Sequence, residues 1–256
     1  MYVEEKIATK VIKKYDVAVC GGGFAGISAA LASVRQGKKT VLFEKQFMLG
    51  GLGTSGLVTI YLPLCDGLGH QVSYGIAEEL LRLSILYGAE DKYPDNWLEK
   101  NGTRTKNDKR FEVQYNPQVF SMLAEKLLLE NGVEILYGTY AVSVKTKDSK
   151  ISHLITENIS GRQAFEVGSV VDATGDCIIA KLAKVSTETF NQGNVLAAWY
   201  YSSGNDGYKL NFLGAADIPD EEKRKGIRKI ILLTEDFRGY REKSCRNRCV
   251  WLIEQY

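Results

Sequence analysis

Residues 15–45, YDVAVCGGGFAGISAALASVRQGKKTVLFEK, decide the fold. YDVAVC (15–20) is an apolar run of strand length that carries Val17 and Val19. GGGFAG follows, with Gly21, Gly23 and Gly26 filling the G-x-G-x-x-G positions. ISAALASVRQ then reads as a helix rich in small residues, and Gly37 stands where a C′ residue would end it. KTVLFEK (39–45) is a second strand with an acid, Glu44, at its end, 18 positions after Gly26. The order is that of a βαβ unit built for a dinucleotide.

Each piece has a physical task. Gly21 permits the tight turn out of the strand, Gly23 lets a pyrophosphate approach the backbone, and Gly26 lets the helix pack close to the sheet. Ala29, Ala30 and Ala32 keep that helix slim. Its free N–H groups and positive dipole end suit phosphate. A carboxylate at Glu44 accepts hydrogen bonds from a ribose diol and repels a 2′-phosphate, which favours FAD or NAD over NADP.

Two further motifs favour the flavin. MLGGLGTSG (48–56) places four glycines in seven residues directly after the ribose acid, an openness that suits close passage of backbone past a ligand. SVVDATGD (169–176) is a strand with Val170 and Val171 buried, ending in the small turn residues Ala173, Thr174, Gly175 and Asp176. Before it come EILYG (134–138), YAVSVK (140–145), ISHLIT (151–156) and FEVGSVV (165–171). The polar turns KDSK and SGR separate the later runs, so the four read as a β-meander that crosses over the Rossmann sheet.

Composition narrows the rest. The chain has 256 residues, 45% hydrophobic and 25% charged, within the range of a globular protein. A net charge of +2 gives no electrostatic footprint for nucleic acid or an anionic membrane. His70 and His153 are the only histidines and match no zinc spacing. No secretory signal and no apolar run of about 18 residues is visible, and the five cysteines lie mostly in apolar stretches. The expected compartment is therefore the cytoplasm, with reduced thiols, no metal and no membrane partner. Cys245 and Cys249 do not have the C-x-x-C redox spacing.

With these motifs in order, the chain resembles flavoproteins of the glutathione-reductase-like superfamily, and most closely the FAD-dependent oxidoreductase family related to fumarate reductase flavoproteins. DVAVCGGGFAGISAA, the acid in VLFEK, MLGGLGTSG and VVDATGD carry the likeness, with NVLAAWYY (194–201) and LGAADIPD (213–220) adding to it. The resemblance implies FAD as cofactor, with Gly21, Gly23 and Gly26 at the pyrophosphate and Glu44 at the adenosine ribose. It further implies Gly51 and Thr54 near the pyrophosphate and flavin, and Ala141 where the backbone pairs with adenine. Ala173, Gly175 and Asp176 would form the second glycine turn.

The expected architecture is α/β: a three-layer Rossmann-like FAD-binding domain, with a parallel sheet and a meander, plus the start of an α+β substrate domain. The FAD-binding domain is discontinuous, 12–60 and 117–195, with a helical and loop insertion at 61–116. In the insertion, 74–88 is an amphipathic helix with Ile76, Leu80, Leu83 and Tyr87 on one face, and the polar segment after it reads as a mobile loop. Asn116-Pro117 caps a second helix whose Val119, Leu123 and Leu127 are core by spacing. Residues 196–256 would begin the substrate domain. They hold an aromatic β segment (Trp199, Tyr200, Tyr201, Tyr208, Phe212) and two helical runs with a basic solvated face.

The chain stops at Tyr256 inside an apolar helical pattern, and the resemblance implies a further portion that closes over the flavin. The expected function is hydride transfer between an unidentified small organic substrate and flavin. The alternatives are a truncated, catalytically incomplete dinucleotide-binding fragment and an RNA-modifying flavoprotein. No catalytic residue is assigned; His70, in the glycine-bearing loop LCDGLGHQ, is the nearest candidate.

Overall fold

The structure is a computed structural model that describes residues 5–87, 93–98 and 110–188, and the backbone of 194–204 and 207–218. The helical runs expected after residue 219, with Cys245 and Cys249, lie outside the described residues. Two compact units divide the chain, Met1–Thr187 and Glu188–Tyr256.

In the first unit the elements run β1 (Val11–Cys20), α1 (Phe24–Arg35), β2 (Thr40–Phe43), β3 (Ile60–Tyr61), α2 (Ile76–Ile85), β4 (Val113–Gln114), α3 (Pro117–Glu130), β5 (Glu134–Leu136), β6 (Tyr140–Lys147), β7 (Lys150–Asn158), β8 (Gly161–Asp172) and α4 (Ile178–Leu182). Six strands form one mixed sheet in the order β5-β2-β1-β8-β7-β6, and β3 pairs separately with β4. The pairs β5–β2, β2–β1 and β1–β8 are parallel, while β8–β7 and β7–β6 are antiparallel. This is an α/β fold of the Rossmann type.

Two details depart from the sequence reading. EILYG belongs to the parallel edge as β5 and is not part of the meander. The meander is β6–β7–β8, and it extends the parallel sheet because β8 pairs with β7 over 161–166 and, on its other edge, with β1 over 164–172. The turn between β6 and β7 has Asp148 and Ser149 at φ of 49° and 60°, the two left-handed residues of a type I′ hairpin.

Apolar alternation on β1 and β2 feeds both faces of the sheet. On one face Val19 and Leu42 pack with Ile27, Ala30 and Leu31 of α1 and Phe120, Ala124 and Leu128 of α3. On the other, Tyr15, Ala18, Val41 and Phe43 meet Leu154, Phe165, Val167 and Ile179 of β7, β8 and α4. Val170 and Val171 are half-buried rather than buried, one against each cluster. The stripe on α3 is offset by one residue from the expected one: Phe120, Ala124 and Leu128 are buried, while Val119, Leu123 and Leu127 are partly so.

Asn116 caps α3 as expected, its Oδ1 accepting from the N–H groups of Gln118 and Val119 at 3.0 and 3.1 Å. In α2, Leu80, Leu81, Ser84 and Ile85 are buried, whereas Tyr87 lies beyond the helix and is exposed. The loop expected after α2 falls largely outside the described residues. Its described part includes Trp97, buried edge-on against Phe111, so that part contributes to the core. Among the described cysteines, Cys20 and Cys65 are buried and Cys177 is exposed.

The second unit contributes an antiparallel pair, β9 (Asn194–Gly204) and β10 (Gly207–Ile218), in register from Gly204↔Gly207 to Asn194↔Ile218 with a bulge between Phe212 and Gly214. The aromatic segment is thus a β-hairpin. Among the described residues, no helix is long and apolar enough to cross a membrane.

Candidate functional site

The parallel strands β1, β2 and β8 end at one edge, and three glycine-bearing segments meet there. The Gly21 N–H donates to Phe43 O and the Ala173 N–H donates to Cys20 O, both at 2.8 Å. Gly21 has φ of +101°, and a Cβ on it would lie 2.3 Å from the Ala173 carbonyl oxygen. A Cβ on Gly26 would lie 1.7 Å from the Gly21 carbonyl oxygen. Both positions are glycine because protein backbone occupies the space.

Gly23 differs. Its backbone is extended (φ −69°, ψ 179°), and a Cβ there would meet nothing within 4 Å. It is the N-cap of α1, and no side chain caps that helix. The end of α1 therefore presents its first N–H groups and its positive dipole end to an open cradle.

Glu44 closes the turn from the side. Only 6% of the residue is exposed. Its Oε2 accepts the Gly22 N–H at 2.5 Å and its Oε1 accepts the Gln46 N–H at 2.7 Å. Each carboxylate oxygen keeps capacity for a second donor, so a ribose hydroxyl can be added without displacing these bonds. Gly22 was not singled out in the sequence. It nevertheless ties three segments together, because its carbonyl also accepts the Gly50 N–H at 2.8 Å. The signal available was the middle one of three consecutive glycines, which lies between the two fingerprint positions.

The second glycine loop packs on the first. Gly51 sits so close that its Cβ would approach the Gly23 Cα to 3.2 Å. Two residues near the start of α3 hold the loop: Tyr115 Oη donates to Gly53 O at 2.7 Å, and Ser121 Oγ accepts the Leu49 N–H at 3.0 Å. Thr54, expected near the pyrophosphate and flavin, ends the short helical turn of the same loop. It is 1% exposed, and its hydroxyl donates to Leu49 O at 2.6 Å, so the side chain shapes the loop.

At the end of β8 the organising acid is Asp172 rather than Asp176. Asp172 Oδ1 accepts from Thr174 Oγ1 at 2.7 Å and from Thr174 N–H at 3.2 Å, while Oδ2 accepts the Ala180 N–H at 3.0 Å. Partial burial pushes its pKa up. The Thr174 hydroxyl and the N–H groups of Ala180, Thr174 and Ile179 outweigh that and hold it below the usual value. Asp176 is exposed, and its carboxylate makes no hydrogen bond among the described residues. Cys177 follows in a left-handed conformation at φ 53°. The missed signal was the D-A-T spacing at a strand end, a local side-chain-to-backbone motif.

Two candidates remain: Ala141 lies two residues beyond Thr139, whose N–H donates to Glu44 O at 3.0 Å, and His70 lies on a separate loop. Ala141 is in β6 opposite Thr156 and packs into the core on the α4 side. His70 is on an exposed loop, its Nδ1 2.8 Å from Asp66 Oδ2, while Asp66 Oδ1 accepts the N–H groups of Leu68 and His70. The bond to His70, aided by that of Leu68, holds the Asp66 carboxyl below its ordinary value. The hydrogen bonds of His70 stay within its own loop. The structure thus gathers Gly21, Gly23, Gly26, Glu44, Gly51 and Ala173, with Gly175 (φ +83°) at the edge of the group.

Solved structures share the fold. A geranylgeranyl bacteriochlorophyll reductase-like protein of Thermoplasma acidophilum is 18% identical, with a TM-score of 0.51 over 74% of this chain and 46% of its own. The L-proline dehydrogenase of P. horikoshii is 13% identical, with a TM-score of 0.51 over 93% of this chain and 79% of its own. At these identities the likeness concerns the fold. In sequence, a tRNA uridine 5-carboxymethylaminomethyl modification enzyme of Fusobacterium nucleatum is 29% identical over 230 residues, 84% of this chain and 32% of that protein. A thioredoxin reductase of Ureaplasma parvum is 35% identical over 80 residues, 30% of this chain and 26% of its own. The chain therefore spans a third or less of these curated relatives. Residues 16–204 match the FAD dependent oxidoreductase family, and the chain belongs to that family.

Proposed function

We propose that the chain holds FAD at the cluster of glycine turns and serves hydride transfer between the flavin and a small organic molecule. Gly23 carries the reading. Neither φ nor space in the protein demands a glycine there, since φ is ordinary and no atom lies within 4 Å of a would-be Cβ, but a pyrophosphate over the α1 N-terminus does. In this reading Gly21 and Gly26 shape the turn, and the N–H groups at the start of α1 bind the pyrophosphate. Glu44 takes the adenosine ribose and Gly51 lies beside the diphosphate. Ala173 and Gly175 form the floor.

Bound FAD would supply the hydride acceptor, and the residues here orient it. The FAD-binding domain comprises 12–60 and 117–195, 61–116 is an insertion, and 196–256 begins a substrate domain. Ala141 would present its backbone to adenine, and the backbone at Thr54 and Asp176 would line the flavin side.

The test is equilibrium titration of the chain with FAD and with NAD, followed by flavin fluorescence, in wild type and Gly23→Ala. Micromolar or tighter FAD binding that weakens at least tenfold in Gly23→Ala supports the reading. Tighter NAD binding with no change in flavin fluorescence overturns it.

A second reading has one observation behind it, the 29% identity over 230 residues to a tRNA-modifying enzyme. It requires RNA affinity from a chain of net charge +2. Salt-dependent tRNA binding by the FAD-loaded chain would favour it over a small-molecule substrate.

A further inference from the structure

Phe47 is the most exposed phenylalanine among the described residues, with 85% of its surface open, and it follows the ribose acid by three positions. Packing does not account for it, because neither core cluster around the sheet includes it. Yet it is held in place. The Gly138 N–H donates to Gln46 O at 3.3 Å, and the Thr139 N–H donates to Glu44 O at 3.0 Å. Gln46 Oε1 also accepts from Ser55 Oγ at 2.6 Å, which fixes the segment to the glycine loop. The outer end of the Phe47 ring lies over Gly138, where a Cβ would come within 2.8 Å of Cζ. The result is a phenyl ring pinned at its tip and open on its faces.

Resting on the reading of Glu44 as the ribose acid, we propose that Phe47 is the stacking platform for the adenine of the bound dinucleotide. The chemistry of the nucleoside sets the geometry. The base is attached to the ribose carbon next to the 2′-hydroxyl, so an acid that binds that hydroxyl brings the base within one sugar of itself. The exposed ring three residues on lies over Gly138, next to Thr139 whose N–H bonds Glu44 O, and so offers a flat apolar surface beside the acid. A purine laid on it would cover apolar area now facing water and add aromatic stacking. Stacking tolerates any base, so Phe47 supplies affinity, while base identity must come from hydrogen bonds. Gly138 is required on the same account, since any side chain there would push the ring away.

The test uses the full chain as wild type, Phe47→Ala and Phe47→Trp, titrated with FAD, ADP and FMN. Phe47→Ala should weaken FAD and ADP alike by about tenfold, the size of one base–aromatic stack, and leave FMN unchanged. Phe47→Trp should retain both affinities, and its added indole emission should be quenched by ADP. Unchanged FAD and ADP affinity in Phe47→Ala overturns the proposal while leaving the cofactor reading intact. Equal losses for FAD, ADP and FMN also overturn it, because the ring then acts on the site as a whole. If wild type binds neither FAD nor ADP, the cofactor reading falls first and this proposal with it.

Discussion

The turn after β1 and the turn after β8 end adjacent parallel strands, and both contain glycine, yet they are built differently. The first is assembled from distant pieces: Glu44 from the end of β2 holds the Gly22 N–H, Gly50 from the next loop donates to Gly22 O, and Ala173 leaves no room for a Cβ on Gly21. The second, beyond the bond from Ala173 N–H to Cys20 O, is held by its own neighbours, with Asp172 binding Thr174 and Ala180 while a Cβ on Gly175 would meet nothing within 4 Å. A turn made of long-range contacts transmits damage to the whole sheet. A turn made of local contacts absorbs it.

The largest break follows from Gly26→Ala. The added carbon would sit 1.7 Å from the Gly21 carbonyl oxygen, a backbone atom that cannot swing aside, so α1 must lift from the sheet. We expect a stability loss of about 3 kcal/mol or more, at the upper end for overpacking. Urea unfolding followed by circular dichroism measures it, and a midpoint equal to wild type would show that helix and turn are less tightly joined than the contact implies.

Glu44→Ala should come next, at about 2–3 kcal/mol of stability, because two N–H groups beside a buried carboxylate lose a charged acceptor. FAD affinity should fall as well, since the same carboxylate faces the ribose in the proposed site. Glu44→Gln, which keeps an acceptor for one N–H, should recover part of the stability. Full recovery would mean that the charge is immaterial to the turn.

Gly23→Ala separates packing from ligand clearance within one motif. Stability should stay within about 0.5 kcal/mol of wild type, as loss of the glycine N-cap preference and a stiffer unfolded chain offset one another. FAD affinity should fall at least tenfold, or about 1.4 kcal/mol. Stability and affinity that fall together would show Gly23 to be a packing glycine like its neighbours.

The same contrast explains what could be read from the sequence. The first turn was legible because its parts recur at fixed spacing, strand, G-x-G-x-x-G, helix, strand, acid, and because each residue type has one physical reason to be there. Gly22 escaped because its role is a hydrogen bond to an acid 22 positions away, which spacing does not display. Asp172 escaped because Asp176 looked like the acid of the turn, and only the fold decides which of two nearby carboxylates faces backbone donors. The offset stripe on α3 arose in the same way: Leu123 and Leu127 are more apolar than Ala124, but only the fold decides which stripe packs with α1 and the sheet. The bond from the Thr54 hydroxyl to Leu49 O was not legible either, since it depends on how the glycine loop folds back on itself.

The smallest effect should come from the second turn, and pH is the way to see it. Asp172 has its pKa depressed in the folded protein, because the Thr174 hydroxyl and three backbone donors favour the carboxylate more than partial burial opposes it. Its contribution to stability is therefore complete above the ordinary carboxylate pKa and is lost as pH falls through the lower, folded-state value. Most of the group's surroundings are solvent, so the effect is screened and local. Urea midpoints measured at intervals from about pH 2 to pH 5 should decline less steeply in Asp172→Asn than in wild type. The two curves should draw together at the acid end, where the aspartate is already protonated. Gly26→Ala, measured in parallel, should shift the whole curve down without changing its slope. Equal slopes for wild type and Asp172→Asn would remove Asp172 as the organiser of the turn and leave Gly175, with its positive φ, as the residue that shapes it.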